Sequence, residues 1–158
     1  MRYEPAMLAS RPLFTIRIQL HPMQQLGATP LGVRRVVPVS GGEFEGDRLR
    51  GSVLPHAGSD WLLERGDGSF QQDARFTLET HDGALIAMSY RGVRHAAPEV
   101  AARLARGEDV PASEYYLRTA PFFETSAEPY AWINKIVAVG VGQRIPGGGV
   151  RYDVFEIL

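Results

Sequence analysis

The sequence predicts a mainly β protein: an antiparallel β-barrel, closed or nearly closed and lipocalin-like in outline, with one short helix around residues 98–106. Three observations carry that expectation. Apolar residues recur at every second position through much of the chain, which is the period of a strand with one buried face. Clusters of Gly, Pro and Asp-Gly break these runs at intervals of about 8–12 residues, the spacing of small sandwiches and barrels. Helix signals are confined to one segment. Consecutive hairpins from Asp60 onward favour closure, because a closed sheet has no exposed edge. Eight or more strands leave room inside for one small ligand.

The elements follow in order. Leu13 to Leu20 alternates, with Phe14, Ile16 and Ile18 on one face and Thr15, Arg17 and Gln19 on the other. His21 to Gly32, holding two prolines and two glycines, reads as a loop. Val33 to Val39 is a second strand, which Pro38 pushes toward an edge or bulge. The glycines of Gly41 to Gly51 fit neither the P-loop nor the dinucleotide fingerprint, and predict a tight connection into a strand at Arg48 to Leu54. Asp60 to Glu64 turns at Gly66-Asp67-Gly68 and returns through Gln71 to Thr80. Asp82-Gly83 predicts a type I′ hairpin into Ala84 to Arg91. Pro98 to Arg106 is the helix, with Pro in its first turn, Glu99 near its positive end and Gly107 as its stop. Glu114 to Arg118, Trp132 to Gln143 and Val150 to Leu158 complete the strands. Gly140 and Gly142 predict strong bending of the second of these.

At 158 residues the chain is expected to form one domain, residues 1–158, with a real core. Its 17 Lys+Arg balance 18 Asp+Glu, so nothing points to nucleic acid or an anionic membrane. No apolar run approaches the roughly 20 residues of a membrane-spanning helix, and the start lacks a signal-peptide pattern. The absence of cysteine removes thiolate nucleophiles and zinc–sulfur sites. Four scattered histidines lack metal-ligand spacing, so no metal and no cofactor is expected. The expected setting is the cytoplasm, and a homodimer is the default assembly.

The order of short motifs Gly41-Gly42-Glu43-Phe44-Glu45-Gly46, Leu49-Arg50-Gly51, Asp60-Trp61, Asp73-Ala74-Arg75-Phe76, Asp82-Gly83-Ala84 and Phe123-Glu124-Thr125…Tyr130-Ala131-Trp132-Ile133-Asn134 resembles the UPF0311 or DUF3237 family. The likeness runs from about Phe14 to Leu158. It implies a compact β-barrel and supplies no catalytic assignment.

Candidate site residues come from the polar groups set among aromatics. Asp73 and Arg75 leave one face of their strand. Facing inward, Arg75 would be a donor fork for a carboxylate or enolate, and Asp73 its partner or a general base. Facing outward, they would be a surface pair, and the apolar Ala74, Phe76 and Leu78 on the other face support that. Glu124, beside two phenylalanines, is a candidate acid or base, or the partner of Arg118. Tyr115 and Tyr116 point to opposite faces, so one of them could donate to an oxyanion. Trp132 and Asn134 share a predicted strand face; Asn134 either braces a loop or meets a ligand. Trp61, Trp132 and Phe123 would wall the cavity. The expected function is binding of a small apolar or aromatic molecule, carrying a carbonyl or carboxylate, inside the barrel. The alternative is a cofactor-independent isomerase, cyclase or lyase with Asp73 or Glu124 as base and an Arg/Tyr oxyanion site. A third reading is a filled barrel that acts through its surface.

Overall fold

The alternation at the start of the chain becomes β1 (Ser10–Leu20), whose Phe14, Ile16 and Ile18 are buried. The computed structural model describes residues 2–158. After β1 come β2 (Gln24–Thr29), β3 (Gly32–Glu45), β4 (Arg50–Val53), β5 (Ser59–Glu64), β6 (Phe70–Thr80) and β7 (Leu85–His95). Helix α1 (Pro98–Ala105) precedes β8 (Tyr116–Glu124), β9 (Val137–Arg144) and β10 (Val150–Ile157). Every strand pairing is antiparallel. The order is β1-β10-β9-β8-β7-β6, then β4 and β5 in one shared slot against β3, which pairs back to β1. That is a closed barrel of eight positions, with β2 as a flap on β3.

Closure explains two departures from the sequence reading. The expected loop at 21–32 contains β2, whose side chains stay largely exposed, so it carries no alternation to detect. Gly41 and Gly42 are not a connection but part of β3, both with positive φ (150° and 143°). Here β3 leaves β2 and β5 to pair with β1 and β4. A Cβ on Gly42 would collide with the Arg17 carbonyl of β1, so glycine lets the closing strands meet. Of the edge or bulge expected at Pro38, the structure shows the second nearby: Pro38 lies within β3 opposite Ser59 of β5, two residues before the register shift at Ser40.

A third departure lies at 128–135. The strand expected from Trp132 begins only at Val137; Glu128–Lys135 is a 3-10 helix entered through Pro129. Its buried residues, Tyr130 and Ile133, are three apart, the period of that helix. Likewise β8 continues through Pro121 to Glu124, beyond the strand end expected at Arg118. Pro121 lies opposite Tyr90 of β7, and β8 meets β9 only at Arg118 and Thr119, so its missing N–H breaks no ladder on that side.

The barrel has two unlike ends. At one, the 3-10 helix plugs the opening: Ile133 is fully buried, and the Tyr130 hydroxyl donates to Asp82 at 2.8 Å. Phe14, Phe44 and Phe123 pack beneath it. At the other end α1 lies over the mouth with Val100 and Leu104 turned inward, and Gly107 ends it at φ 76°.

Gly142 belongs to this second end. It pairs with Tyr152, and a methyl group there would lie 2.5 Å from the Leu117 side chain and 2.6 Å from the Tyr152 ring. Gly142→Ala is therefore expected to destabilise the fold by about 1–3 kcal/mol through overpacking. Urea denaturation of the two proteins measures this, and equal midpoints would show that the ring is not held by that gap.

Candidate functional site

The inward faces of β5, β6, β7 and β10 are hydrocarbon along most of their length and turn polar near α1. On β7 the face runs Ile86, Met88, Tyr90, Gly92, Arg94; on β6 it runs Leu78, Phe76, Ala74, Gln72. β5 adds Leu62 and Asp60, and β10 adds Tyr152. These groups surround a small cavity of about 60 Å³ that touches Asp60, Gln72, Arg94, Leu117, Arg144 and Tyr152. A wider chamber of about 240 Å³ adjoins it, sharing Met23, Leu62, Arg94 and Arg144 and roofed by Ala101, Leu104 and Ala105 of α1. Together they form one pocket running from the helix into the barrel.

Asp60 is its most perturbed acid. Desolvation raises its carboxyl pKa to about 6, against the opposing influence of the Asp73 backbone N–H and the attraction of Arg94. The backbone holds it there. The β5–β6 ladder skips Trp61 and Leu62. The Trp61 carbonyl accepts instead from Arg34 at 2.8 Å, and the Asp73 N–H donates to Asp60 Oδ1 at 2.9 Å. The carboxylate thus occupies a gap in the sheet, with its other oxygen free for a second partner.

Around Asp60 stand groups of different character. Burial raises the phenol pKa values of Tyr90 and Tyr152, so both remain neutral donors, and their rings meet edge to face at 5.3 Å. Arg94, only 9% exposed, has its pKa lowered to about 10 by burial and by Arg144, so it is charged at neutral pH. Its guanidinium carbon lies 4.3 Å from the centre of the Phe70 ring. The Gln72 side-chain oxygen is buried with no hydrogen-bond partner. A site with a carboxyl that titrates at about 6, a neutral phenol and a cation can shuttle a proton and stabilise an oxyanion.

The residues expected from sequence lie mostly elsewhere. Asp73 and Arg75 are on the outer face of β6, Arg75 exposed, while Ala74, Phe76 and Leu78 form the core face. Arg75 and Glu124 border an open outer groove with Phe122. Trp61 is 52% exposed, although its neighbours Asp60 and Leu62 line the pocket. Phe123 packs in the core against Phe14. Trp132 lies at the plugged end under the Arg48 guanidinium, 4.0 Å away. Asn134 braces a turn, accepting from the Thr125 N–H at 2.8 Å and donating to the Thr125 carbonyl at 2.9 Å. Tyr116 is exposed and stacks on His95. Tyr115 is buried beside the mouth, and its hydroxyl accepts the Arg144 backbone N–H at 2.8 Å. The pocket residues Asp60, Gln72, Arg94, Arg144 and Tyr152, and Tyr90 packed behind Tyr152, were missed. Gln72 and Arg94 had a legible signal, since each continues the parity of an apolar face. A larger trough of about 630 Å³ beside Arg17, Glu43, Arg50 and Arg151 is open and lies on the outer wall. Among the described residues no three His, Asp or Glu side chains gather as metal ligands, and no helix is long and apolar enough to cross a membrane.

The family model described as "Protein of unknown function (DUF3237)" matches residues 8–157. A UPF0311 protein of Rhodopseudomonas palustris is 34% identical over 151 residues, covering 96% of this chain and 97% of that protein. A crystal structure from the same organism, of a conserved protein of unknown function, superposes with a TM-score of 0.90 at 32% identity, covering 98% of this chain and all of that one (100%). A crystal structure described as a beta-barrel like protein from Acinetobacter baumannii gives 0.84 at 38% identity, covering 99% and 100%. More distantly, the hydroalkoxylation enzyme phnH of Penicillium herquei is 27% identical over 141 residues, 84% of this chain and 78% of that enzyme.

The position of Asp60 makes stability depend on pH. Its folded pKa of about 6 lies above the ordinary carboxylate value, so the folded state favours the protonated form. That contribution is full below about pH 4 and is lost as pH rises through about 6. Asp60→Asn keeps the oxygen that accepts from Asp73 and removes the ionisation. It is expected to gain on the order of 2–3 kcal/mol relative to wild type between pH 4 and pH 8. Urea denaturation of both proteins across that range checks it; a constant difference would place the titration elsewhere.

Proposed function

The chain belongs to the DUF3237 family, and on that premise we propose that its barrel mouth binds a small aromatic or apolar molecule bearing a carbonyl or carboxylate oxygen and catalyses a proton transfer on it. The observation that carries this reading is a carboxyl group held by one backbone N–H at the wall of a pocket, with a pKa of about 6. Such a group can accept and return a proton near neutral pH. Tyr152 supplies a neutral donor for an oxygen that gains charge, with Tyr90 behind it, and the hydrocarbon of Leu62 and Leu104 receives the ring. The combined space suits a ligand at or below the small end of the usual range for pockets.

The printed name of the Penicillium herquei relative supports the class of chemistry. Hydroalkoxylation adds an alcohol O–H across a C=C bond. One proton leaves oxygen and one arrives at carbon, so the balance needs no oxidant or reductant. A single carboxyl can do both in turn. Isomerisation next to a carbonyl makes the same demand.

The test is incubation with hydroxylated aromatic alkenes and enones, followed by chromatography and NMR, because addition within one molecule leaves its mass unchanged. Wild type is expected to turn over, with a rate that changes around pH 6. Asp60→Asn is expected to lose about 10²–10⁴-fold in kcat, whereas Asp73→Asn and Glu124→Gln, on the outer wall, retain the rate. Wild-type turnover by Asp60→Asn would overturn the catalytic reading. A compound that raises Tm, by about 2.7 kcal/mol of stability at 100 times its Kd, and returns unchanged would leave a binding protein.

A further inference from the structure

Two arginines in the pocket are without anionic partners. Arg35 at the same mouth is paired with Glu64 at 3.0 Å. Among the described residues, Arg94 and Arg144 make no salt bridge, and neither guanidinium is held by a hydrogen bond, although Arg94 is only 9% exposed. Their mutual repulsion contributes to the lowered pKa of Arg94. The facing carboxyl, Asp60, attracts Arg94 but forms no salt bridge with it and is itself protonated below about pH 6. A buried guanidinium in this condition costs stability unless something brings a compensating charge. Both side chains line the two connected chambers. The Arg94 guanidinium carbon sits over the Phe70 ring, 4.3 Å from its centre, and its N–H donors make no hydrogen bond among the described residues. The orphaned Gln72 oxygen in the same cavity is an independent sign of a polar occupant.

We propose that Arg94 and Arg144 form an oxyanion anchor and that the substrate is an aromatic carboxylate, its ring between Phe70 and α1 and its carboxylate on the two guanidiniums. This rests on the pocket assigned above and adds the charge of what enters it. Arg94 binds and orients; Asp60 remains the proton-transfer group. Bidentate recognition of carboxylate is what the planar fork suits, and a neutral molecule would leave both cations uncompensated.

The probes are 2-naphthoate, its neutral isostere 2-naphthalenemethanol, and inorganic phosphate, titrated calorimetrically into the full chain. Naphthoate is expected to bind about 10–100-fold more tightly than the alcohol, the scale of charge-assisted hydrogen bonds. Arg94→Gln and Arg144→Gln are expected to remove most of that preference and leave the alcohol's affinity unchanged. Arg144, half-buried at the rim, provides the check should Arg94→Gln fold poorly. Asp60→Asn, which removes a like charge from beside the anchor, is expected to keep or strengthen the preference for naphthoate. Equal binding of naphthoate and alcohol, absence of naphthoate binding at millimolar concentration, or an unchanged preference in folded Arg144→Gln would each overturn the anchor. Phosphate binding as tightly as naphthoate would also overturn it, by showing that the ring contributes nothing. These results are separable from the catalytic reading. That reading fails when Asp60→Asn turns over normally, whichever probe binds.

Discussion

Pairing of β1 with β3 is the constraint on which the molecule depends. Without it the sheet would be an open ribbon with two exposed edges, and the inward side chains would have no common interior. With it, eight strand positions enclose a space that side chains nearly fill. Gly42 permits the two backbones to approach, and the bend at Gly41 and Gly42 allows one strand to serve two neighbours on each side. Everything unusual about the site follows from this closure. An aspartate at the start of β5 would be an ordinary acid on an open sheet, whereas inside the barrel it loses its water and its pKa rises to about 6.

The interior is divided along its axis. Phe14, Phe44, Phe123 and Ile133 fill one end with hydrocarbon and close it. The other end carries Asp60, Gln72, Tyr90, Arg94 and Tyr152, an arrangement that lowers stability unless a ligand is part of the design. Interior polar groups in native proteins are ordinarily satisfied, and here Gln72 is not. The hydrocarbon end supplies the stability that allows the polar end to stay under-satisfied. The same contrast assigns the roles of the two caps: the 3-10 plug is tied down through Tyr130 and Asp82, while α1 lies over space.

Much of the fold was legible because alternation is a physical consequence of enclosing one face of each strand. Phe14-Ile16-Ile18 and Ala74-Phe76-Leu78 announced their buried sides, and the helix after Pro98 is where local chemistry placed it. The hairpin at Asp82-Gly83 is also in its expected place, but of the two residues only Gly83 has a positive φ (87°), so the turn is not the type I′ expected. What was not legible lacks that cause. β2 buries little and so has no pattern, and at 128–135 the buried Tyr130 and Ile133 obey a period of three, although the stretch from Trp132 reads as a strand. The polar pocket escaped the sequence reading for a related reason. Asp73, Arg75 and Glu124 drew notice because reactive side chains are dense there, yet their parity is that of the outer wall. The informative residues were those out of character with their own face: Gln72 in line with Ala74 and Phe76, and Arg94 in line with Met88 and Tyr90. A polar residue in phase with a core stripe is costly, so its presence carries more information than a polar residue on a face already wet.

The anchor and the acid are coupled by the same low-dielectric interior. Arg94 now holds the Asp60 pKa below the value that desolvation alone would set. A carboxylate seated on Arg94 and Arg144 would cancel part of that attraction and bring a like charge toward Asp60, and both effects raise its pKa. Substrate binding would then favour the protonated acid, ready to deliver a proton to carbon, and departure of the anion would release it. The empty site has the opposite bias, with Asp60 ionised above about pH 6 opposite two cations. On the proposed reading the charge of the ligand would set the protonation state of Asp60, which gives a physical reason for placing two unpaired arginines beside a buried aspartate.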